Sequence, residues 1–140
     1  MTPAEALAHH RLKSARDVLS EADLLAGGSH YRGALNRLYY GALYAARALL
    51  ALNEIDSSRH SGVIALFHQH FVRPGIVDAE VTRVFARAFE KRLTTDYGDY
   101  VAVTADDVHG LRGDIIKFVT ICEETVARLT GTRGDERSDT

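Results

Sequence analysis

Arg92, Asp96 and Tyr97, in the stretch RLTTDY, place a cation, a carboxylate and a phenol within six residues. On a helix that continues through this stretch, Arg92 and Asp96 share one face at four-residue spacing, and Tyr97 leans to a neighbouring face. The guanidinium of Arg92 could bind a phosphate or a carboxylate with its planar fork of donors. The alternative is a solvated ion pair, which would stabilise the helix by about 0.2–0.5 kcal/mol and have no further role.

A second candidate is the stretch RHSG, in which Arg59, His60 and Ser61 precede Gly62 at the start of a predicted helix. The first turn of a helix has free backbone N–H groups and the positive end of the helix dipole, which together can hold an anion. Arg59 would add its charge beside such a site. The same residues also fit a helix cap with an adjacent surface cation, and local physics alone favours this second interpretation.

Both stretches need a scaffold, which the sequence organises around the segment Tyr31–Leu52. Its alanines and leucines recur at three- and four-residue spacings, the period of a helix with one face in a core. Gly33 and Gly41 lower helix propensity, and we expect them to let another helix approach closely. A second stripe carries Arg and Tyr where a surface helix usually has Glu and Lys, so we expect a second face to make contacts. Its members are Arg37, Tyr40, Tyr44 and Arg47.

The rest of the chain repeats the helical period between strong breaks, which are Gly27-Gly28, Pro74-Gly75 and Gly98. Thr104 and Asp107 have the spacing of a capping box and predict a helix start. Residues 99–103 are too few to build a sheet and are predicted to be a loop. The sequence therefore predicts an all-α fold, an antiparallel up-and-down bundle of four main helices plus a short one. The predicted helices are Ala4–Ala26, Tyr31–Leu52, His60–Phe71, Asp78–Asp96 and Thr104–Leu129.

Length and composition predict one small cytoplasmic domain. The 140 residues suffice for a single core, and we expect residues 1–130 to form it. Residues 131–140 have no apolar side chain to bury and are predicted to be disordered. The net charge of −2 gives no global case for nucleic-acid or membrane binding, and no apolar run could span a bilayer. The single Cys122 excludes an internal disulfide and fits a reducing compartment as a small core residue.

Seven histidines raise the question of a metal site, which their spacing does not favour. There is no H-E-x-x-H motif and no pair of histidines four apart. His68 and His70 are two residues apart and would point away from each other on a helix. His9, His10 and His30 are expected to face solvent. We therefore predict neither a metal nor a cofactor.

Four blocks of the sequence, taken together, resemble the HEPN family, in particular its small single-domain prokaryotic members. They are RLYYGALYAAR at 37–47, RHSGVI at 59–64, FxxxFVRPG at 67–75 and RxxxDYGD at 92–99. In order and with short spacers, they lie within residues 15–121. The resemblance implies an all-α bundle that forms a homodimer, often paired with a minimal nucleotidyltransferase. Several members of the family are metal-independent endoribonucleases of toxin–antitoxin or defence modules.

The resemblance also implies where the functional site lies. The family's ribonuclease signature is an Arg followed four to six residues later by a His, with the two copies meeting across the dimer. In this chain Arg92 keeps the place of the Arg, but Asp96 and Tyr97 follow where the His would be, and no Arg has a His at that spacing. RNA cleavage needs groups that take and give a proton, for which an imidazole is better suited than an unshifted carboxylate. Whether the protein is an enzyme is thus left open by the sequence.

The interpretation we adopt is an RNA- or nucleotide-binding HEPN module, paired with a nucleotidyltransferase as toxin and antitoxin. Arg92, Asp96 and Tyr97 would be the catalytic residues at a dimer cleft, with Arg37 and His60 lining it. The alternative is a non-catalytic dimer that docks a nucleotidyltransferase partner. Phosphates would be held by Arg37, Arg59 and Arg92, and Tyr40 and Tyr97 would offer stacking surfaces. The residues assigned to nucleotide or RNA binding are Arg37, Tyr40, Arg59, His60 and Ser61.

Overall fold

Five α-helices and one π-helical segment follow one another in the computed structural model of this chain. The structure describes the backbone of residues 1–97 and 102–138 and the side chains of residues 1–91 and 102–131. Within those ranges there is no strand, which confirms the all-α prediction. The elements are α1 (Pro3–Gly27), α2 (Tyr31–Leu52), α3 (His60–Phe67), the π-helical segment (His68–Val72), α4 (Ala79–Tyr97) and α5 (Ala105–Ser138).

α2 is the central helix, with the bounds that its sequence predicts. Thirteen of its 22 residues are buried, because it packs against α1, α3, α4 and α5 at once. Gly41 makes the contact with α1 possible: a Cβ at this position would lie 2.8 Å from Leu19 Cδ2. At Gly33 the corresponding distance to Leu25 Cδ1 is 3.4 Å, an ordinary contact. The predicted close approach is therefore confirmed at Gly41 only.

Capping boxes start α1 and α5. Thr2 Oγ1 accepts a hydrogen bond from the Glu5 N–H at 3.1 Å, and Glu5 Oε2 accepts one from the Thr2 N–H at 3.4 Å. At α5, Thr104 Oγ1 accepts a hydrogen bond from the Asp107 N–H at 3.2 Å, and Asp107 Oδ2 accepts one from the Thr104 N–H at 3.0 Å. Each box satisfies two backbone donors that the helix itself leaves unpaired. The helix start that the Thr104–Asp107 spacing predicts is confirmed.

The predicted third helix changes its winding halfway along. It is α-helical to Phe67 and then π-helical, with the Arg73 N–H donating to the His68 carbonyl oxygen at 2.8 Å. The wider turn leaves both Phe71 and Val72 buried in the core. A single α-helix over this segment was therefore the wrong prediction. The reason is tertiary, because a π turn is tolerated where packing rewards the side chains that it turns inward.

α4 and α5 both end later in the sequence than the periodicity indicates. α4 continues as a helix to Tyr97, which satisfies the condition placed on the Arg92–Asp96 spacing. α5 continues to Ser138, past the predicted end at Leu129. The division of the chain at residue 130 stays a prediction. The helix stop at Gly98 and most of the loop predicted after it lie outside the described residues; residues 102–104 have no regular secondary structure.

Candidate functional site

Arg37, Tyr40 and His60 come together although they lie on two different helices. The guanidinium carbon of Arg37 lies 5.0 Å from the centroid of the Tyr40 ring, within range of a cation–π contact. The His60 ring meets the other side of this group, 5.8 Å from the Tyr40 centroid and at 89° to it. All three side chains are half-buried. This group, here called the Arg–Tyr–His cluster, offers a cation, a phenol and an imidazole at one place on the surface.

Tyr39 is the base on which this cluster rests. It is fully buried, and its ring centroid lies 5.5 Å from Tyr40, 5.6 Å from His60 and 5.9 Å from Phe89. Rings from α2, α3 and α4 thus support one another, an arrangement that fixes their orientation beyond the burial of apolar area. The sequence reasoning did not single out Tyr39. The signal was the Tyr39–Tyr40 pair, because neighbouring residues on a helix differ by about 100° and one of two tyrosines must turn inward.

The cation of the cluster is held only weakly. Arg37 Nη1 lies 3.4 Å from Glu21 Oε2, Arg37 Nη2 lies 3.4 Å from Asn36 Oδ1, and about a third of the side chain is exposed. Long, partly solvated contacts of this kind contribute little to stability. Arg37 can therefore exchange them for a ligand oxygen at small cost.

Arg47, on the same stripe of α2, has a structural role instead. Its Nε donates to Asp56 Oδ1 at 3.2 Å and its Nη2 donates to the Ser57 carbonyl oxygen at 2.9 Å. Arg11 reaches the same carboxylate at 3.4 Å. Partial desolvation raises the pKa of Asp56, but the hydrogen bond from the Ser57 N–H and the charges of Arg47 and Arg11 outweigh it. The pKa of Asp56 is therefore lowered. These contacts fasten the loop between α2 and α3.

Three residues at the start of α3 were predicted to bind the ligand, namely Arg59, His60 and Ser61. Only His60 lies in the Arg–Tyr–His cluster. Arg59 is the N-cap residue, and no side chain caps the helix. Ser57 Oγ accepts from the Arg59 N–H at 3.2 Å and packs so closely on Gly62 that a Cβ there would lie 2.1 Å from it. Arg59 and Ser61 are exposed, and no hydrogen bond or ring contact between described residues joins them to the cluster.

The predicted catalytic residues lie on the last turns of α4. The backbone of Arg92, Asp96 and Tyr97 is helical, while their side chains lie outside the described residues. Phe89 precedes Arg92 by three residues and contacts Tyr39. Because residues three apart on a helix are neighbours, α4 carries Arg92 in the turn next to the rings that support the Arg–Tyr–His cluster.

Among the side chains that the structure describes, no three His, Cys, Asp or Glu residues are grouped so as to hold a metal ion, and His9, His10 and His30 are exposed, as predicted. Cys122 is fully buried, and this burial raises the pKa of its thiol far above the ordinary value. Because a buried thiol of this kind is not a nucleophile, Cys122 is a core residue, as predicted. No helix in the described ranges has both the length and the apolar character needed to cross a bilayer.

The chain is similar to proteins of bacteria and archaea. The model of the HEPN domain matches residues 8–125. A "UPF0332 protein" of Thermotoga maritima is 36% identical over 108 residues, which are 77% of this chain and 82% of that protein. A UPF0332 protein of Gloeobacter violaceus is 33% identical over 130 residues, 91% of this chain and 100% of its own length. "Putative toxin MJ0142" of Methanocaldococcus jannaschii is 28% identical over 100 residues, 71% and 68% of the two chains.

Proposed function

Because this chain belongs to the HEPN domain family, we propose that it is an RNA- or nucleotide-binding module that acts in a toxin–antitoxin or defence pair. The observation that carries the proposal is the Arg–Tyr–His cluster, in which the Arg37 guanidinium lies 5.0 Å from the Tyr40 ring centroid. A guanidinium beside a half-buried aromatic ring matches a nucleotide, which has a phosphate next to a flat base. The toxin name of a relative supports the same class of function.

Each residue of the proposed site has a part in holding the ligand. Arg37 and Arg92 bind phosphate oxygens, and Tyr40 and Tyr97 give surfaces on which bases stack. Arg59, exposed at the start of α3, adds a further cation at the edge of the cluster. Asp96, four residues after Arg92 on α4, would be a proton acceptor if the protein cleaves RNA.

The proposal includes a homodimer and a partner. Two copies of α4 would bring their Arg92 residues to one shared groove, and a minimal nucleotidyltransferase would be the other component of the pair. A symmetric dimer uses the same surface on both copies, so a single charge-reversed residue in that surface would act twice. Scattering at micromolar protein concentration is expected to give twice the monomer mass, and a monomeric mass would contradict the proposal.

Metal-independent RNA cleavage is the second candidate function, and the observation that favours it is the position of His60. The motif on α4 contains no histidine, but His60 lies beside Tyr40 with its ring 5.8 Å away. An imidazole near neutral pH can take the proton of a 2′-hydroxyl and return one to the leaving oxygen. His60 would then supply from α3 the group that the α4 motif does not contain.

A binding titration on Arg92→Ala tests the site. We expect the affinity for a short single-stranded RNA to fall roughly tenfold to hundredfold, because one charge-assisted contact is lost. Arg87→Ala is the matched control, since it removes a charge from the same helix and its Nη2 lies 3.9 Å from Asp114 Oδ2. Unchanged affinity in Arg92→Ala, with or without a change in Arg87→Ala, would contradict the assignment.

RNA degradation by the purified protein in chelator separates the enzyme from the non-catalytic docking protein. If the protein is a ribonuclease, the natural protein should degrade RNA and His60→Ala should abolish the degradation. If it is a docking protein, neither the natural protein nor His60→Ala should degrade RNA. Copurification of a nucleotidyltransferase would agree with both functions and does not discriminate between them. Comparing His60→Ala with His9→Ala, whose side chain is exposed on α1, controls for the general loss of an imidazole.

A further inference from the structure

An open groove of 640 Å³ separates the third helical segment from the first half of α4. One wall is formed by the end of α3 and the π-helical segment, with Ile64, His68 and Gln69, and Arg73 follows at its end. The other wall is formed by α4, with Thr82 and Arg83. This α3–α4 groove is one to two helical turns away from His60, and none of the residues assigned to the proposed function lines it.

The charge of the groove is uneven in a way that favours an anion. Two arginines and a histidine line it, and none of its lining residues is an Asp or a Glu. Arg73 is exposed and has no carboxylate within ion-pairing distance among the side chains that the structure describes. Arg83 contacts Glu80 at 3.5 Å, with both side chains more than two-thirds exposed, so water screens this pair and a ligand can replace it.

A second groove, on the opposite side of the same helix, shows that this pattern is not general. It measures 330 Å³ and lies between α4 and α5. Its cations, Arg87 and Lys117, share the lining with three carboxylates, and Arg87 lies 3.9 Å from one of them. The carboxylates are Asp78, Glu80 and Asp114. An anion there would meet like charges, which the α3–α4 groove does not impose.

Thr82 gives a third reason to expect a ligand. Its side chain lines the α3–α4 groove but is only 6% exposed, and its Oγ1 has no hydrogen-bond partner among the described residues. A buried hydroxyl without a partner is destabilising. Threonine in a helix has two accessible rotamers about χ1, so the hydroxyl can turn to donate a hydrogen bond to an oxygen bound in the groove.

We propose that the α3–α4 groove is a phosphate-binding site, in which Arg73 and Arg83 hold the phosphate oxygens and Gln69 and Thr82 donate further hydrogen bonds. Guanidinium groups suit this ligand because their paired N–H donors match phosphate oxygens. The π-helical segment presents His68 and Gln69 on the wall opposite Thr82. The inference does not depend on the proposed function, since it uses neither Arg92 nor the Arg–Tyr–His cluster.

The phosphate could belong to a free nucleotide or to the backbone of an RNA chain. Residues 83 and 92 are nine positions apart on α4, which is about 13 Å along the helix axis. The two positions also differ by about half a turn around the helix axis, so a single-stranded RNA would have to pass around α4 to contact both, and a mononucleotide is too short to do so. The ratio between the affinities for the two ligands separates the two sources.

Calorimetric titration of the Arg37→Gln/Arg92→Ala protein with pyrophosphate tests the groove without the two arginines that bind phosphate in the proposed site. We expect one pyrophosphate per protomer, and at least a tenfold weaker affinity when Arg73→Gln and Arg83→Gln are added. The matched control adds Arg87→Gln and Lys117→Gln, which remove the same charge from the other side of α4, and it should change the affinity less than threefold. Absence of binding, or equal losses in the two double variants, would overturn the proposal.

Thr82→Val provides a second test that keeps every charge. The change is expected to weaken pyrophosphate binding severalfold while raising the midpoint of thermal unfolding, because the unpaired hydroxyl is removed. A raised midpoint with unchanged affinity would exclude Thr82 from the site, and would overturn the part of the proposal that rests on it. The Arg73→Gln/Arg83→Gln variant with Arg92 intact identifies where the phosphate comes from. If the phosphate belongs to an RNA backbone, this variant should bind a ten-nucleotide RNA more weakly than the natural protein does. If only the affinity for a nucleotide falls, the ligand is a free nucleotide.

Discussion

Two sides of the bundle differ in the contacts of their arginines. One side is made by α1, α2 and α5, and the other by α3 and α4. Arg16 donates from Nε to Glu123 Oε2 at 3.0 Å and joins α1 to α5. Arg112 forms a two-pronged contact with Asp23 at 2.7 and 3.0 Å, again between α5 and α1. By contrast, Arg73 has no ion pair with a described carboxylate, and Arg83 has a long, exposed one.

This difference separates structural arginines from those available for a ligand. A guanidinium that already has a two-pronged carboxylate would lose those bonds on binding a phosphate, so it gains little from the exchange. A guanidinium without a close carboxylate gains the whole contact. The net charge of −2 does not show this division, because it sums all the charges of the chain. The helices also differ in their contacts, since a close backbone approach joins α1 to α2 while aromatic rings join α3 to α4.

Phe85→Ala is expected to have the largest effect, and it breaks the α3–α4 side. The Phe85 side chain is fully buried, and its ring centroid lies 5.5 Å from Phe118 and 6.3 Å from Phe67. Removing it should lower the free energy of unfolding by about 3–5 kcal/mol, because a cavity remains between α3, α4 and α5. Chemical denaturation measures this. Phe89→Ala, at a half-buried position, should cost at most about 2 kcal/mol, and a larger cost there would contradict the assignment of the core to Phe85.

Gly41→Val tests the α1–α2 side in the same way. The first added carbon would lie 2.8 Å from Leu19 Cδ2 and 3.2 Å from Leu19 Cγ, so the two helices must separate or Leu19 must leave its rotamer. We expect a loss of about 1–3 kcal/mol in the free energy of unfolding. Gly113→Ala is the control, since no atom lies within 4 Å of its added Cβ, and it should gain up to about 1 kcal/mol from helix propensity. A stabilised Gly41→Val protein would show that the helices do not meet there.

Acid should weaken the α1–α2–α5 side. The hydrogen bond from Arg112 lowers the pKa of Asp23, and the pKa of Asp56 is lowered as well. A carboxyl whose pKa is lower in the folded protein stabilises it above the unfolded pKa, near 3.9, and this contribution disappears as the pH falls through the folded pKa. Both side chains are about half exposed, so we expect about 1 kcal/mol or less in total.

Thermal melts between pH 6 and pH 2.5 measure this dependence. Asp23→Asn/Asp56→Asn should be less stable than the natural protein at pH 6 and should lose less stability than the natural protein on acidification. Asp17→Asn, whose carboxylate lies 3.0 Å from Lys13 on an exposed face of α1, is the control and should leave the acid dependence unchanged. An equally steep acid dependence in the double variant would assign the sensitivity to other carboxyl groups.

The smallest expected effect is the coupling between Arg16 and Glu123. A double-mutant cycle with Arg16→Gln and Glu123→Gln should give about 0.5–1 kcal/mol, since the side chains are 41% and 33% exposed and Thr120 shares the contact. The same cycle on Lys13 and Asp17, which are 76% and 60% exposed, should give about 0.3 kcal/mol or less. Equal couplings in both cycles would mean that the α1–α5 pair is no stronger than an ordinary surface pair.

Much of the fold is predictable because its signals are local. α2 has the bounds that its apolar period gives, and the Thr104–Asp107 spacing identifies the start of α5. A capping box is formed by residues three apart, and a helix stripe by residues three or four apart, so neither depends on the rest of the chain. The π-helical segment was not predictable in this way, because what rewards its wider turn is the core around Phe71 and Val72.

The candidate site likewise has a part that the sequence predicts and a part that only the tertiary structure shows. The spacing of Arg37 and Tyr40 on α2, the place of His60 at a helix start and the family resemblance selected these three residues as candidates, and their groups can bind or cleave phosphate esters. Only the tertiary structure decided that they meet around one ring, that buried Tyr39 supports them, and that Arg47 of the same stripe is committed to Asp56. The same holds for the α3–α4 groove, whose residues lie on two separate helical segments. The physical reason is that helix formation depends on neighbours in the sequence, whereas a binding site depends on which faces the core turns outward.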